Sequence, residues 1–94
     1  MSKRITVQMQ VQPGQCEAFE ALMVEATARV RAEDAGCELY DLFRSIDDAS
    51  RYVLIESWAT AEDLEAHGSS PAIEQVRGMR EHLAGPSLVH RYED

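Results

Sequence analysis

Long apolar runs, metal-ligand spacings and positive charge are scarce in this chain of 94 residues. No stretch of ~18 consecutive apolar residues exists, which excludes a transmembrane helix. The N-terminal "MSKRITVQMQVQPG" carries basic residues but then alternates apolar with polar. A secretory leader needs a continuous apolar core, so a cytoplasmic location is expected. Nine Lys and Arg against seventeen Asp and Glu leave a net charge of −8. That field repels phosphate backbones and anionic bilayers, so neither nucleic acid nor membrane is an expected partner. Cys16 and Cys37 lack metal-ligand spacing and read as free thiols. There is no His-x-His, no His-Glu-x-x-His, no glycine-rich phosphate loop and no nucleophile elbow. Any chemistry is therefore expected to proceed without a bound metal or nucleotide. Repeats, linkers and low-complexity tracts are also missing, which leaves one domain over residues 1–94.

What is present has a clear order. "RITVQMQV" (4–11) alternates Ile5, Val7, Met9 and Val11 with polar residues, the period of a strand. After "PGQ" (13–15), Phe19, Leu22, Met23, Ala26 and Val30 recur at helical spacing from Cys16 to Asp34, where Ala35-Gly36 stops the helix. "CELYDLFRSI" (37–46) and "RYVLIESW" (51–58) read as a hairpin around "DDAS" (47–50). Thr60, with Asp63 three residues on, caps a short helix to about His67. Ser70-Pro71 opens another that carries Ile73, Val76, Met79, Arg80 and Leu83, before "SLVHRYE" (87–93) gives a last strand. The order β-α-β-β-α-β predicts an α+β, ferredoxin-like antiparallel sheet with helices on one face.

Strands 2 and 3 are apolar on both faces. Leu39 and Phe43 point one way and Tyr40, Leu42 and Ile46 the other; Val53 and Ile55 likewise oppose Tyr52, Leu54 and Trp58. Helices cover only one face, and each large apolar side chain left in water forgoes about 1.5–3 kcal/mol relative to burial. A homodimer whose sheets pack face to face is the expected solution.

Two aromatic positions and one cation stand out. Trp58 ends strand 3 just before the Thr60 cap, beside the gap between sheet and broken helix. Ala61, Leu64 and His67 share the inward side of the short helix, with His67 at its C-terminus. Imidazole titrates near pH 6.5, about right for a general base at neutrality. Arg77 lies at the edge of an apolar stripe, where it either snorkels or orients an anionic oxygen. His82 and His90 have no partner pattern and are assigned to surface or interface.

These segments together resemble the antibiotic biosynthesis monooxygenase (ABM) domains. "EDAGCELYDLF" (33–43) is similar to their acidic-x-Gly-Cys-x-x-Tyr approach to the second strand, and "YVLIESWATAEDLEAHGSSP" (52–71) to their Glu-x-Trp with His nine residues later. The resemblance spans essentially the whole chain and implies a dimeric α+β barrel. It also implies oxidation of a small quinol-like or polyhydroxylated aromatic by dioxygen, with no flavin, haem or metal cofactor. On this resemblance His67 is the catalytic base, Trp58 an aromatic wall of a dry pocket and Arg77 an anion partner, with Tyr40 also at the substrate. Leu54 and Leu64 fall where actinorhodin-type members carry Asn and Tyr, so the pocket is expected to be greasier than theirs. Haem-degrading relatives place an iron-ligating His near Arg77, and Arg cannot ligate iron. Two alternatives stay open: an isomerase of a small phosphorylated signal molecule that binds through Arg77 or Arg80, and a non-catalytic dimeric ligand-binding module.

Overall fold

The computed structural model describes residues 2–93. Four strands, β1 (Lys3–Gln10), β2 (Cys37–Arg44), β3 (Arg51–Trp58) and β4 (Leu88–Glu93), form one antiparallel sheet in the order β2-β3-β1-β4. Helices α1 (Cys16–Glu33), α2 (Ala61–His67) and α3 (Pro71–Arg77), followed by a 3-10 turn at Gly78–His82, lie over one face. This is the ferredoxin-like α+β plan expected from the sequence.

Alternation along β1 buries Ile5, Val7 and Met9 under the helices, and α1 answers with Phe19, Met23, Ala26 and Val30. Phe19 and Tyr52 close this half of the core with ring centroids 4.7 Å apart. Residues directly opposed in antiparallel strands share a face. Two rows therefore cross the covered face: Tyr40–Glu56–Ile5–Arg91 and Leu42–Leu54–Val7–Val89, each taken from β2, β3, β1 and β4 in turn. One is wholly apolar; the other begins and ends in groups that hydrogen-bond or carry charge.

Two corners meet at one end of the sheet. Gly36 turns the chain from α1 into β2 with φ 78°, a left-handed conformation that an L-residue adopts only at a cost. Its carbonyl accepts from the Ala59 N–H at 2.9 Å, and a Cβ there would collide with the Asp63 carboxylate. The α1–β2 corner is thus clamped to the β3–α2 corner. Thr60 accepts from the Asp63 N–H (3.1 Å) and Ser70 from the Ile73 N–H (3.2 Å), so both expected caps form.

The structure differs from the sequence reading in three places. β2 ends at Arg44 rather than at residue 46: Ser45 N–H closes the hairpin on Arg51 O (2.9 Å), and an Asp48 side-chain turn onto Ser50 N–H (2.9 Å) draws the loop away. Ile46 is consequently fully exposed instead of joining Tyr40 and Leu42. Glu38 is an extra residue in β2, a bulge between Cys37 and Leu39. Finally, the last helix tightens at Gly78, glycine being a poor helix former, and the 3-10 turn brings Met79 into the core ahead of Leu83, which bridges Val11.

On the opposite face Leu39, Phe43, Leu88 and Tyr92 are 36%, 48%, 54% and 50% exposed, around half-buried Val53 and Ile55. No helix covers them. Among the described residues, no helix is long and apolar enough to cross a membrane.

Candidate functional site

The clamped corners bring together a histidine and two acids distant in sequence. His67, at the end of α2, is only 4% exposed. Its Nδ1 lies 2.6 Å from Oδ2 of Asp34, the residue that caps α1. Ser70 donates to the same Oδ2 at 2.9 Å while its oxygen caps α3, so the carboxylate is fixed by two helices. An ionised carboxylate only accepts, so Nδ1–H donates to Asp34, and in the neutral ring the lone pair is then on Nε2. Nε2 faces Oε1 of Glu56 at 4.0 Å.

Glu56 is the second acid, buried at the centre of β3. Burial pushes its carboxyl above the ordinary glutamate range, partly offset by the Trp58 indole N–H, which donates at 3.0 Å, and by the fields of a protonated His67 and of Arg91. Trp58 stacks on the imidazole with centroids 4.4 Å apart and planes at 29°, and Tyr40 meets it edge-on at 5.2 Å. Burial also drives the Tyr40 phenol upward, so it remains a neutral donor rather than a base.

This cluster borders a cavity of about 510 Å³, within the size range of small-ligand sites. The floor is the sheet: Ile5, Val7, Leu54 and Val89 between Glu56 and Arg91. The roof is Leu64, Ile73, Val76 and Met79 from the helices, with His67 and Tyr40 at the inner end. Exposed Arg80, Val89 and Arg91 line the other end, so the cavity opens to water along β4 and is not the sealed pocket the sequence reading expected.

Of the expected site residues, His67, Tyr40, Leu54, Leu64 and Arg77 all border this one cavity. Trp58 does not. It pairs across the sheet with Lys3 and Cys37, one row beyond Glu56, and stands fully buried behind the imidazole instead of forming a wall. The Arg77 guanidinium is already engaged, donating to Gly68 O at 2.8 Å and pairing with Glu74. His82 holds Gln15 (Nδ1 to Oε1, 2.9 Å) and His90 is exposed on β4, both away from the cavity. Both cysteines are free, and burial raises the Cys37 thiol. Among the described residues no three His, Cys, Asp or Glu side chains are disposed to hold a metal ion.

A profile of the family described as antibiotic biosynthesis monooxygenase matches residues 4–78. The chain belongs to the ABM family. Solved structures agree on the fold. A candidate antibiotic biosynthesis monooxygenase from Caulobacter crescentus superposes with a TM-score of 0.92 at 24% identity, over 99% of this chain and 89% of that one. Another from Nitrosomonas europaea gives 0.90 at 22% identity, over 99% and 89%. A third from Bordetella bronchiseptica gives 0.82 at 27% identity, over 99% and 96%. A comparison with curated proteins finds no match. Within this ABM domain, Asp34, Glu56 and Ser70 are members of the cluster that reasoning from sequence passed over. Asp34 and Glu56 stand inside the quoted segments, but nothing in spacing tells that residues 33 positions apart will share a hydrogen bond.

Proposed function

We propose that this ABM protein is a cofactor-independent oxygenase for a small quinol-like aromatic, bound in the cavity with a ring hydroxyl toward His67. The observation that carries this reading is the hydrogen bond at 2.6 Å between the buried side chains of Asp34 and His67, the latter bordering the cavity beside the apolar side chains of Ile5, Leu54, Leu64 and Val76. Fixing Nδ1–H on a carboxylate orients the ring and stabilises the imidazolium that forms when Nε2 takes a proton. Dioxygen reacts slowly with closed-shell phenols but readily with their anions, so the protein's tasks are to bind, to deprotonate and to protect the anion. Burial that favours the neutral form of Glu56 assists, because it weakens a second negative charge beside the developing phenolate. At a ring CH₂ of the keto tautomer, one oxygen atom becomes a carbonyl and the other leaves as water. Substrate supplies all four electrons, and no external reductant is required.

The working form in this reading is a homodimer, with the uncovered faces bearing Phe43, Leu88 and Tyr92 packed together, acting in the cytoplasm. The test is dioxygen uptake with 1,4-naphthalenediol. Turnover is expected, and His67→Ala should lower it roughly 10²–10⁴-fold, the range for loss of a general base. Unchanged uptake in that variant removes the role of His67. Binding of aromatics with no uptake by the wild type leaves a ligand-binding module.

A further inference from the structure

The cationic side chains are distributed unevenly. The chain has nine Lys and Arg among seventeen acids. Arg29, Arg31, Arg44, Arg51 and Arg77 each form an ion pair, with Glu33, Asp41, Glu20, Asp48 and Glu74 respectively. Lys3 and Arg4 are engaged in interactions of their own. Arg80 and Arg91 form no ion pair among the described residues, and both line the open end of the cavity. In a protein of net charge −8, carboxylates are plentiful; Arg91 feels Glu56 only at a distance and neither arginine has a carboxylate in contact among the described residues, which leaves both guanidinium forks open to an anion.

Their placement relative to the imidazole defines the ligand. Arg91 is the last member of the row Tyr40–Glu56–Ile5–Arg91, and Glu56 faces His67. Glu56 and Arg91 are two strand spacings apart, about 10 Å between backbones, with the Ile5 side chain as an apolar step between them. Arg80 reaches the same end from the 3-10 turn. Glu65 also lines the cavity, so a singly charged group is opposed less than a doubly charged one. The guanidinium fork matches a carboxylate in two parallel hydrogen bonds.

From this we infer that the ligand is an aromatic acid, with its hydroxyl at His67 and, about one fused bicycle away, a carboxylate held by Arg80 and Arg91. The identity of the hydroxyl end rests on the oxygenase reading above; the carboxylate end does not. Arg80 and Arg91, rather than the expected Arg77, are the anion-reading residues.

Titration calorimetry with air-stable probes separates the two. 6-Hydroxy-2-naphthoate carries hydroxyl and carboxylate at opposite ends of a bicycle; 2-naphthol lacks the carboxylate. The naphthoate is expected to bind at least tenfold more tightly, an advantage that falls with added salt. Arg80→Gln/Arg91→Gln should abolish the advantage and leave 2-naphthol binding and the thermal unfolding midpoint unchanged. Equal affinities, or an advantage that survives in the double variant, overturns the carboxylate site. Tighter binding of 6-hydroxy-2-naphthyl phosphate than of the naphthoate overturns the singly charged assignment. Dioxygen uptake with quinols is read on the same preparation. A carboxylate preference without uptake upholds the anion site and removes the oxygenase reading; uptake without the preference removes the anion site alone.

Discussion

The two faces of this sheet both carry apolar side chains, but only one of them buries ionisable groups. Beneath the helices, the row through Ile5 holds Glu56 inside and Arg91 at the rim, and Glu56 meets a histidine tied to a second acid. On the bare face, Phe43, Leu88 and Tyr92 stand among Thr6 and Gln8 and the surface charges of Arg4 and Asp41. Burying a carboxylate costs several kcal/mol unless it is paired or protonated, so a fold tolerates one where it is put to use. Among the described residues the bare face buries no comparable group, and its charges stay in water.

The sharpest way to break this contrast is to remove the indole that supports the buried cluster. Trp58→Ala deletes a fully buried ring that stacks on His67 and donates to Glu56, and is expected to cost about 3–5 kcal/mol in denaturant unfolding. A loss below about 1 kcal/mol would mean that the cluster does not depend on its aromatic backing. On the bare face, Phe43→Asp should weaken self-association roughly tenfold or more in sedimentation while the far-ultraviolet spectrum of the fold persists. Dissociation unaffected by the substitution would remove this face from the interface.

Glu56 tests the electrostatic half of the contrast. Its folded-state pKa is raised above the ordinary 4.5, so the native state holds this proton more firmly than the unfolded chain does. The group's stabilising contribution is complete below the unfolded value and is lost as pH rises through the folded one. Glu56→Gln keeps an oxygen for the Trp58 N–H and removes the titration. The stability of wild type relative to this variant should therefore decline as pH rises from about 4 toward neutrality, followed by thermal unfolding. A relative stability that climbs over that range would reverse the assigned direction. The smallest effect is expected at Ile46, which touches neither face: Ile46→Ser should change stability by less than about 0.5 kcal/mol.

Much of this contrast was legible before folding. Period-two alternation in β1, the Thr60 and Ser70-Pro71 signals and Gly36 located the elements, and His67 on the inward side of α2 does border the cavity. What could not be read were long-range meetings. The Asp34 carboxylate reaches His67 only because Gly36 and Ala59 tie two corners together, and the bulge at Glu38 adjusts where β2 starts its pairing. Likewise, Arg80 is legible only as one of two possible anion partners, and Arg91 looks like a surface residue along the chain. They meet at one cavity end because β4 returns beside β1, a consequence of topology rather than of local pattern.

The stacking of Trp58 on His67 has one more consequence. It is the sole tryptophan, and its ring plane lies against the imidazole. A protonated imidazole in that position quenches indole emission by drawing charge from the excited ring. Fluorescence of the untouched protein therefore responds to the ionic states of both His67 and Glu56, the indole's two polar neighbours, through a dye that the chain already carries.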